Sequence, residues 1–89
     1  MLKEEIELIN ELGLHARAAS KLVTLASKYE SETRLVLSNG LGANCKSIMG
    51  LMMLAASCGT LMTLYSEGED EPQALEAINA LIQNKFGEE

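Results

Sequence analysis

The spacing of apolar residues switches repeatedly between two periods along this chain, and that alternation limits the folds open to it. Leu2, Ile6 and Leu8 share one face of an extended segment from Leu2 to Ile9, opposite Lys3, Glu5 and Glu7, with only Glu4 and Ile9 out of step. Turn-forming residues from Asn10 to Gly13 end it. From Ala16 to Tyr29 the period becomes helical: Ala19, Leu22, Val23, Ala26 and Tyr29 recur on one side, with Lys21, Ser27 and Lys28 largely opposite. The cationic residues near its end suit the negative terminus of a helix. A polar connector, Glu30 to Glu32, leads to a second alternating run, Thr33 to Ser38. Asn39-Gly40 is a tight-turn signal, so Leu41 to Cys45 is expected as a short return strand, weakened by Gly42.

Ser47 then offers an N-cap to a helix of about two turns. Its apolar residues do not fit one stripe: with Leu51 and Leu54 inward, Ile48, Met49 and Met52 point the other way. Either the helix is wholly buried or it carries a docking patch, and a small chain has little protein with which to bury both sides. Methionine suits docking because it is flexible and polarisable. Thr60 to Glu67 reads as a fourth strand, Met62 and Leu64 alternating with Leu61, Thr63 and Tyr65. Asp70 is the expected cap of the last helix, with Pro72 in its first turn and Gln73 at capping-box spacing. Leu75, Ile78, Leu81 and Ile82 form its stripe, Gly87 its stop, and Glu88-Glu89 a frayed end. The order βαββαβα predicts an α+β open-faced sandwich. A four-stranded, mostly antiparallel sheet carries three helices on one face, in a single domain spanning residues 1–89.

The net charge of −6 argues against a nucleic-acid partner and would steer a protein with a basic surface toward the chain. No apolar run approaches a membrane span, and Met1 to Glu5 lack the apolar core of a signal peptide. Cys45, Cys58 and a single histidine make neither a disulfide framework nor a zinc spacing, so free thiols in a reducing cytoplasm are expected. There is no glycine-rich nucleotide loop and no carboxylate cluster for magnesium, so no cofactor or metal is expected.

The stretch Gly13-Leu14-His15-Ala16-Arg17-Ala18-Ala19-Ser20 joins the first strand to the first helix and carries the one histidine. If the helix starts just after His15, its free N–H groups and dipole form an anion site beside the imidazole. A positive helix end disfavours imidazolium, so the ring stays neutral with a lone pair for attack. A phosphoryl group taken by that nitrogen could be held by the N–H groups and by Arg17. The alternative is a histidine that only caps a helix. Likewise Ser47 is either a plain cap or a site where added phosphate would set negative charge beside the apolar patch.

Gly13-Leu14-His15-Ala16-Arg17, the segment Lys46-Ser47-Ile48-Met49-Gly50-Leu51-Met52 and the element order together resemble the histidine-containing phosphocarrier (HPr) family of the bacterial phosphoenolpyruvate-dependent phosphotransferase system. The resemblance covers essentially the whole chain. It implies a carrier, not a turnover enzyme, that takes a phosphoryl group from phosphorylated enzyme I and passes it to the A domain of an enzyme II. It assigns His15 Nδ1 as the acceptor, Arg17 as phosphate ligand, the Ala16 and Arg17 backbone as phosphate-binding, and Ser47 as a regulatory site for a dedicated kinase and phosphorylase. Ser20, Thr24, Ile48, Met49 and Met52 match the partner-docking surface of a cytoplasmic monomer. The family commonly has proline where this chain has Ala18, and alanine, an excellent helix former, should preserve the helix. The family also has a nitrogen-linked regulatory branch, and the Ser47 context looks more like the sugar or general carrier. Two rivals compete: an interaction module in which His15 is incidental, and a hydrolase built on His15 and a cysteine, which no triad or ligand spacing supports.

Overall fold

The computed structural model describes residues 1–88. Its elements are β1 (Leu2–Glu7), α1 (Ala16–Ala26), β2 (Glu32–Leu37), β3 (Gly42–Asn44), α2 (Ile48–Met53), β4 (Leu61–Glu67) and α3 (Glu71–Gln83), followed by a 3₁₀ turn, Lys85–Gly87. The strands lie in the order β1-β4-β2-β3, and every neighbouring pair is antiparallel. The expected α+β open-faced arrangement is therefore the observed one.

Strict alternation builds the sheet's two faces. In β4, Met62, Leu64 and Ser66 are buried while the residues between them are exposed or half-buried. Ile6 and Leu35 join them from β1 and β2, and the helices cover this face with Leu22 and Ala26 of α1, Leu51 of α2, and Ile78 and Ile82 of α3. Each of the buried leucine and isoleucine side chains stabilises the fold by about 1.5–3 kcal/mol relative to exposure. The far face carries Glu5, Arg34 and Tyr65, as expected for a sheet with one side toward water. Glu4, out of step in the strand pattern, sits on the helix side at the rim and accepts a hydrogen bond from Asn79 Nδ2 of α3 at 3.1 Å.

Several expected boundaries move, for local reasons. β1 ends at Glu7, yet Leu8 stays buried and exchanges backbone bonds with the loop before β4: Leu8 N–H donates to Thr60 O at 2.9 Å and Gly59 N–H to Leu8 O at 2.6 Å. α1 stops at Ala26, short of Tyr29, so Lys28 lies beyond it and the last turn carries no cation. Glu32 belongs to β2 and Ser31 is fully buried, so the connector there is shorter than its polarity suggests.

The capping box of α3 does not form. Asp70 occupies the N-cap, but its carboxylate accepts from Glu30 N–H at 3.0 Å and from Ser31 N–H at 2.9 Å, and also from the Ser31 hydroxyl. The Ser31 hydroxyl above all, then the Glu30 amide, holds the Asp70 carboxyl below its ordinary range. Gly68 makes this closure possible: its φ is 148° and a Cβ there would stand 2.7 Å from Ser31 Cα.

The tail also departs from expectation. α3 ends at Gln83, four residues before Gly87, and Lys85 and Phe86 adopt φ of 57° and 56°. Phe86 is buried in the core and turns the chain back over the molecule. Glu88 is consequently ordered against the protein rather than frayed, and Glu89 lies outside the described residues.

Candidate functional site

Gly13 places the histidine. It sits at φ 69°, where a Cβ would meet Ala56 O at 2.5 Å, and the next residue, Leu14, is buried with its N–H bonded to Ala56 O at 2.9 Å. The backbone thus leaves the Gly13 turn clamped to the chain that follows α2. His15 comes next, extended at φ −81°, ψ 179°, and serves as the N-cap of α1.

The first helical bond is Ala19 N–H to His15 O at 2.8 Å, so the amides of Ala16, Arg17 and Ala18 have no intrahelical acceptor. Arg17 N–H donates to His15 Nδ1 at 3.3 Å, a long and weak bond. Because Nδ1 accepts, the network assigns the proton to Nε2, which donates to Glu88 Oε2. The imidazole is 29% exposed, with its Nδ1 lone pair at the positive mouth of the helix. The imidazole lies at the helix mouth beside amides without intrahelical acceptors, as the sequence leads one to expect. Alanine at position 18 leaves α1 unbroken and completely buries its methyl.

Side chains of both signs border the segment that carries the histidine. Ala16 and Arg17 are exposed, and Arg17 and Lys21 help line an open hollow of about 450 Å³ with Glu11, Leu12, Gly87 and Glu88.

The second expected site lies apart from the first. Ser47 caps α2 by accepting from Gly50 N–H at 3.0 Å, and it is half-buried. α2 is not wholly buried: Leu51 and Leu54 face the core, while Ile48, Met49 and Met52 are exposed, Met49 at 74%. Met53, absent from the expected patch, is exposed at 76%. Ser20 and Thr24 are exposed on α1, which packs against α2, and the Thr24 hydroxyl donates to Ser20 O at 3.0 Å. The structure thus brings His15, Arg17, Ser20, Thr24 and the apolar face of α2 onto the helical layer, with Ser47 at that face's edge.

The remaining candidates separate by burial. Cys45 is buried, which pushes its thiol up to about 11, whereas Cys58 is exposed and unbonded to it. Neither cysteine is hydrogen-bonded to His15, whose side-chain partners are Arg17 N–H and Glu88.

The family model described as the "PTS HPr component phosphorylation site" matches residues 2–84. A phosphocarrier protein HPr from Neisseria meningitidis is 52% identical over 88 residues, 99% of this chain and 98% of that protein. The chain belongs to the HPr family of phosphocarriers. An HPr from Cupriavidus necator is 49% identical over the same proportions of the two chains. The crystal structure of an HPr from Thermoanaerobacter tengcongensis superposes with a TM-score of 0.93 at 45% identity, covering 100% of this chain and 99% of the other. A phosphocarrier protein NPr from Shewanella violacea is 42% identical over 87 residues.

Within the HPr frame, two residues at the histidine were not singled out by sequence. Asn10, read as a turn residue, is fully buried and donates from Nδ2 to Gly13 O at 2.7 Å and to Glu88 Oε1 at 3.1 Å. Glu88 was assigned to a loose end. The available signal was Phe86, a large apolar side chain beyond the helical stripe that needed somewhere to be buried.

Proposed function

We propose that this chain carries phosphoryl groups on His15 Nδ1 in the phosphoenolpyruvate-dependent phosphotransferase system. Phosphorylated enzyme I is the donor and the A domain of an enzyme II the acceptor, in the cytoplasm. The observation that supports this most directly is the placement of His15 Nδ1 at the helix mouth, 3.3 Å from the Arg17 amide. Nδ1 accepts from the Arg17 amide, and the Ala16 and Ala18 amides nearby have no intrahelical acceptor. Phosphoryl transfer asks for a nucleophile in line with the leaving atom and positive groups around the transferred oxygens, which this arrangement supplies.

Ile48, Met49 and Met52, flanked by Ser20 and Thr24, form the surface on which donor and acceptor dock. A shallow exposed site suits partners that bring their own reacting groups. Ser47 is the regulatory position: a phosphate there would set roughly two negative charges at the edge of the apolar patch and weaken docking. Relatedness to an NPr supports a second reading, a regulatory carrier acting through the same histidine.

Incubation with phosphoenolpyruvate and enzyme I tests the assignment. The chain should gain one phosphate that is labile in acid and stable in base, and His15→Ala should gain none. Phosphate uptake by His15→Ala, or none by the wild-type chain, would overturn it.

A further inference from the structure

The ordered tail places a carboxylate on the side of His15 opposite the phosphoryl site. Lys85, Phe86 and Gly87 all have positive φ, an uphill conformation for the first two, and the surroundings hold them there. Phe86 is buried, its carbonyl accepts from Lys21 Nζ at 2.7 Å, and Glu88 N–H donates to Lys85 O at 2.9 Å. The turn delivers the Glu88 side chain, only 16% exposed, to two donors: His15 Nε2–H at one oxygen and buried Asn10 at the other. Asn10 is itself fixed through Gly13 O, so both ends of the carboxylate are located by the loop that carries the histidine.

We propose that Glu88, oriented by Asn10, is a positioning residue for phosphoryl transfer that keeps the His15 proton on Nε2 before, during and after the reaction. The proposal rests on the reading of His15 as acceptor. The Nδ1 lone pair attacks phosphorus, and the bond from phosphorus to the donor's leaving atom breaks, its electron pair staying with phosphorylated enzyme I's own acceptor group. No proton moves, so the ring becomes positive and the Glu88 carboxylate faces that charge across the Nε2–H bond. In onward transfer the Nδ1–P bond breaks, its pair returns to Nδ1, and His15 departs as a neutral imidazole. Had Nε2 lost its proton, the ring would have to leave as imidazolate, a far poorer leaving group. The carboxylate is suited to this task because His15 first, then Asn10 and the nearby Lys21 charge, hold it below its ordinary range and therefore ionised at neutral pH.

The test compares wild type with Glu88→Gln and Glu88→Asp. Ring ¹⁵N spectra of the phosphorylated proteins at neutral pH should show Nε2 protonated in the wild type and largely deprotonated in Glu88→Gln. The kcat for onward transfer to an enzyme II A domain should fall about tenfold in Glu88→Gln with KM unchanged, the loss of one charge-assisted hydrogen bond. Glu88→Asp should recover part of both. Wild-type spectra and kcat in Glu88→Gln would overturn the proposal while leaving His15 as the carrier. A change in KM alone would make Glu88 a docking contact and overturn it too. Absence of phosphate on wild-type His15 would remove both readings together.

Discussion

His15 and Ser47 occupy the same position in two helices, and the difference between them separates a reactive cap from a closing one. Both have extended backbone and both accept an N–H from the helix they start. Ser47 accepts from Gly50 at 3.0 Å, one residue further into its helix than the bond at His15 reaches, so the hydroxyl closes the first turn of α2. His15 accepts from Arg17 at 3.3 Å, a long bond that leaves its Nδ1 lone pair only weakly engaged. Its other nitrogen is tied to Glu88, whereas among the described residues Ser47 has no second anchor from the tail. A cap becomes chemically useful when the helix leaves its acceptor underused and something else fixes its orientation.

Five experiments would break or sharpen that contrast. The largest effect is expected from Gly13→Ala, since the added methyl meets the Ala56 carbonyl and the backbone must keep a positive φ. It should cost about 2–3 kcal/mol of unfolding free energy and slow phosphoryl acceptance. Loss of stability with wild-type acceptance would mean that the Gly13 clamp does not place His15. Next, Arg17→Ala should lower the acceptance rate about tenfold to a hundredfold with little change in thermal midpoint. An unchanged rate would leave the guanidinium without a role in holding phosphate.

Ser47→Ala should lose about 1 kcal/mol of stability, as a plain cap does, and still accept phosphoryl normally. Ser47→Asp should instead raise the KM for enzyme I while sparing the fold, and a wild-type KM would refute the charge argument for this position. The smallest effect is with pH. Asp70, Glu71 and Glu88 are all held below their ordinary values, by the Ser31 hydroxyl, the Gly68 amide and His15 respectively as the leading causes. The stability they contribute is complete above the ordinary carboxylate range and is lost as pH falls through their lowered values. Thermal midpoints should therefore be flat from neutrality to about pH 5 and fall below it. Amide exchange should rise first around Glu88 and Asp70, leaving the Ser47 cap protected; uniform loosening would contradict the local assignment.

The element order, the sheet's exposed face and the outward face of α2 were legible because each follows from one period and a few punctuating residues. His15 at a helix mouth was legible for the same reason: a glycine turn, then alanine-rich helical spacing. What periodicity could not supply were partnerships between segments distant in sequence. Asp70 has every local mark of a helix cap, yet the buried Ser31 hydroxyl and two amides compete for its oxygens and win. Glu88 follows a glycine near a chain end, which locally reads as loose. Its placement depends on Phe86 reaching the core and on Lys21 and Asn10, contacts that span most of the sequence. Local pattern found the histidine at the helix mouth, while only the folded chain reveals what holds its ring.

The strand order leaves β1 and β3 at the rims of the sheet. β3 offers only three residues as a template for another strand, and β1 carries Lys3, Glu4, Glu5 and Glu7 along its length. A second copy adding itself in register would set carboxylate against carboxylate for very little backbone gain. The margins of the molecule thus discourage lateral growth into fibres, even though Ile48, Met49, Met52 and Met53 stand exposed on the helical layer.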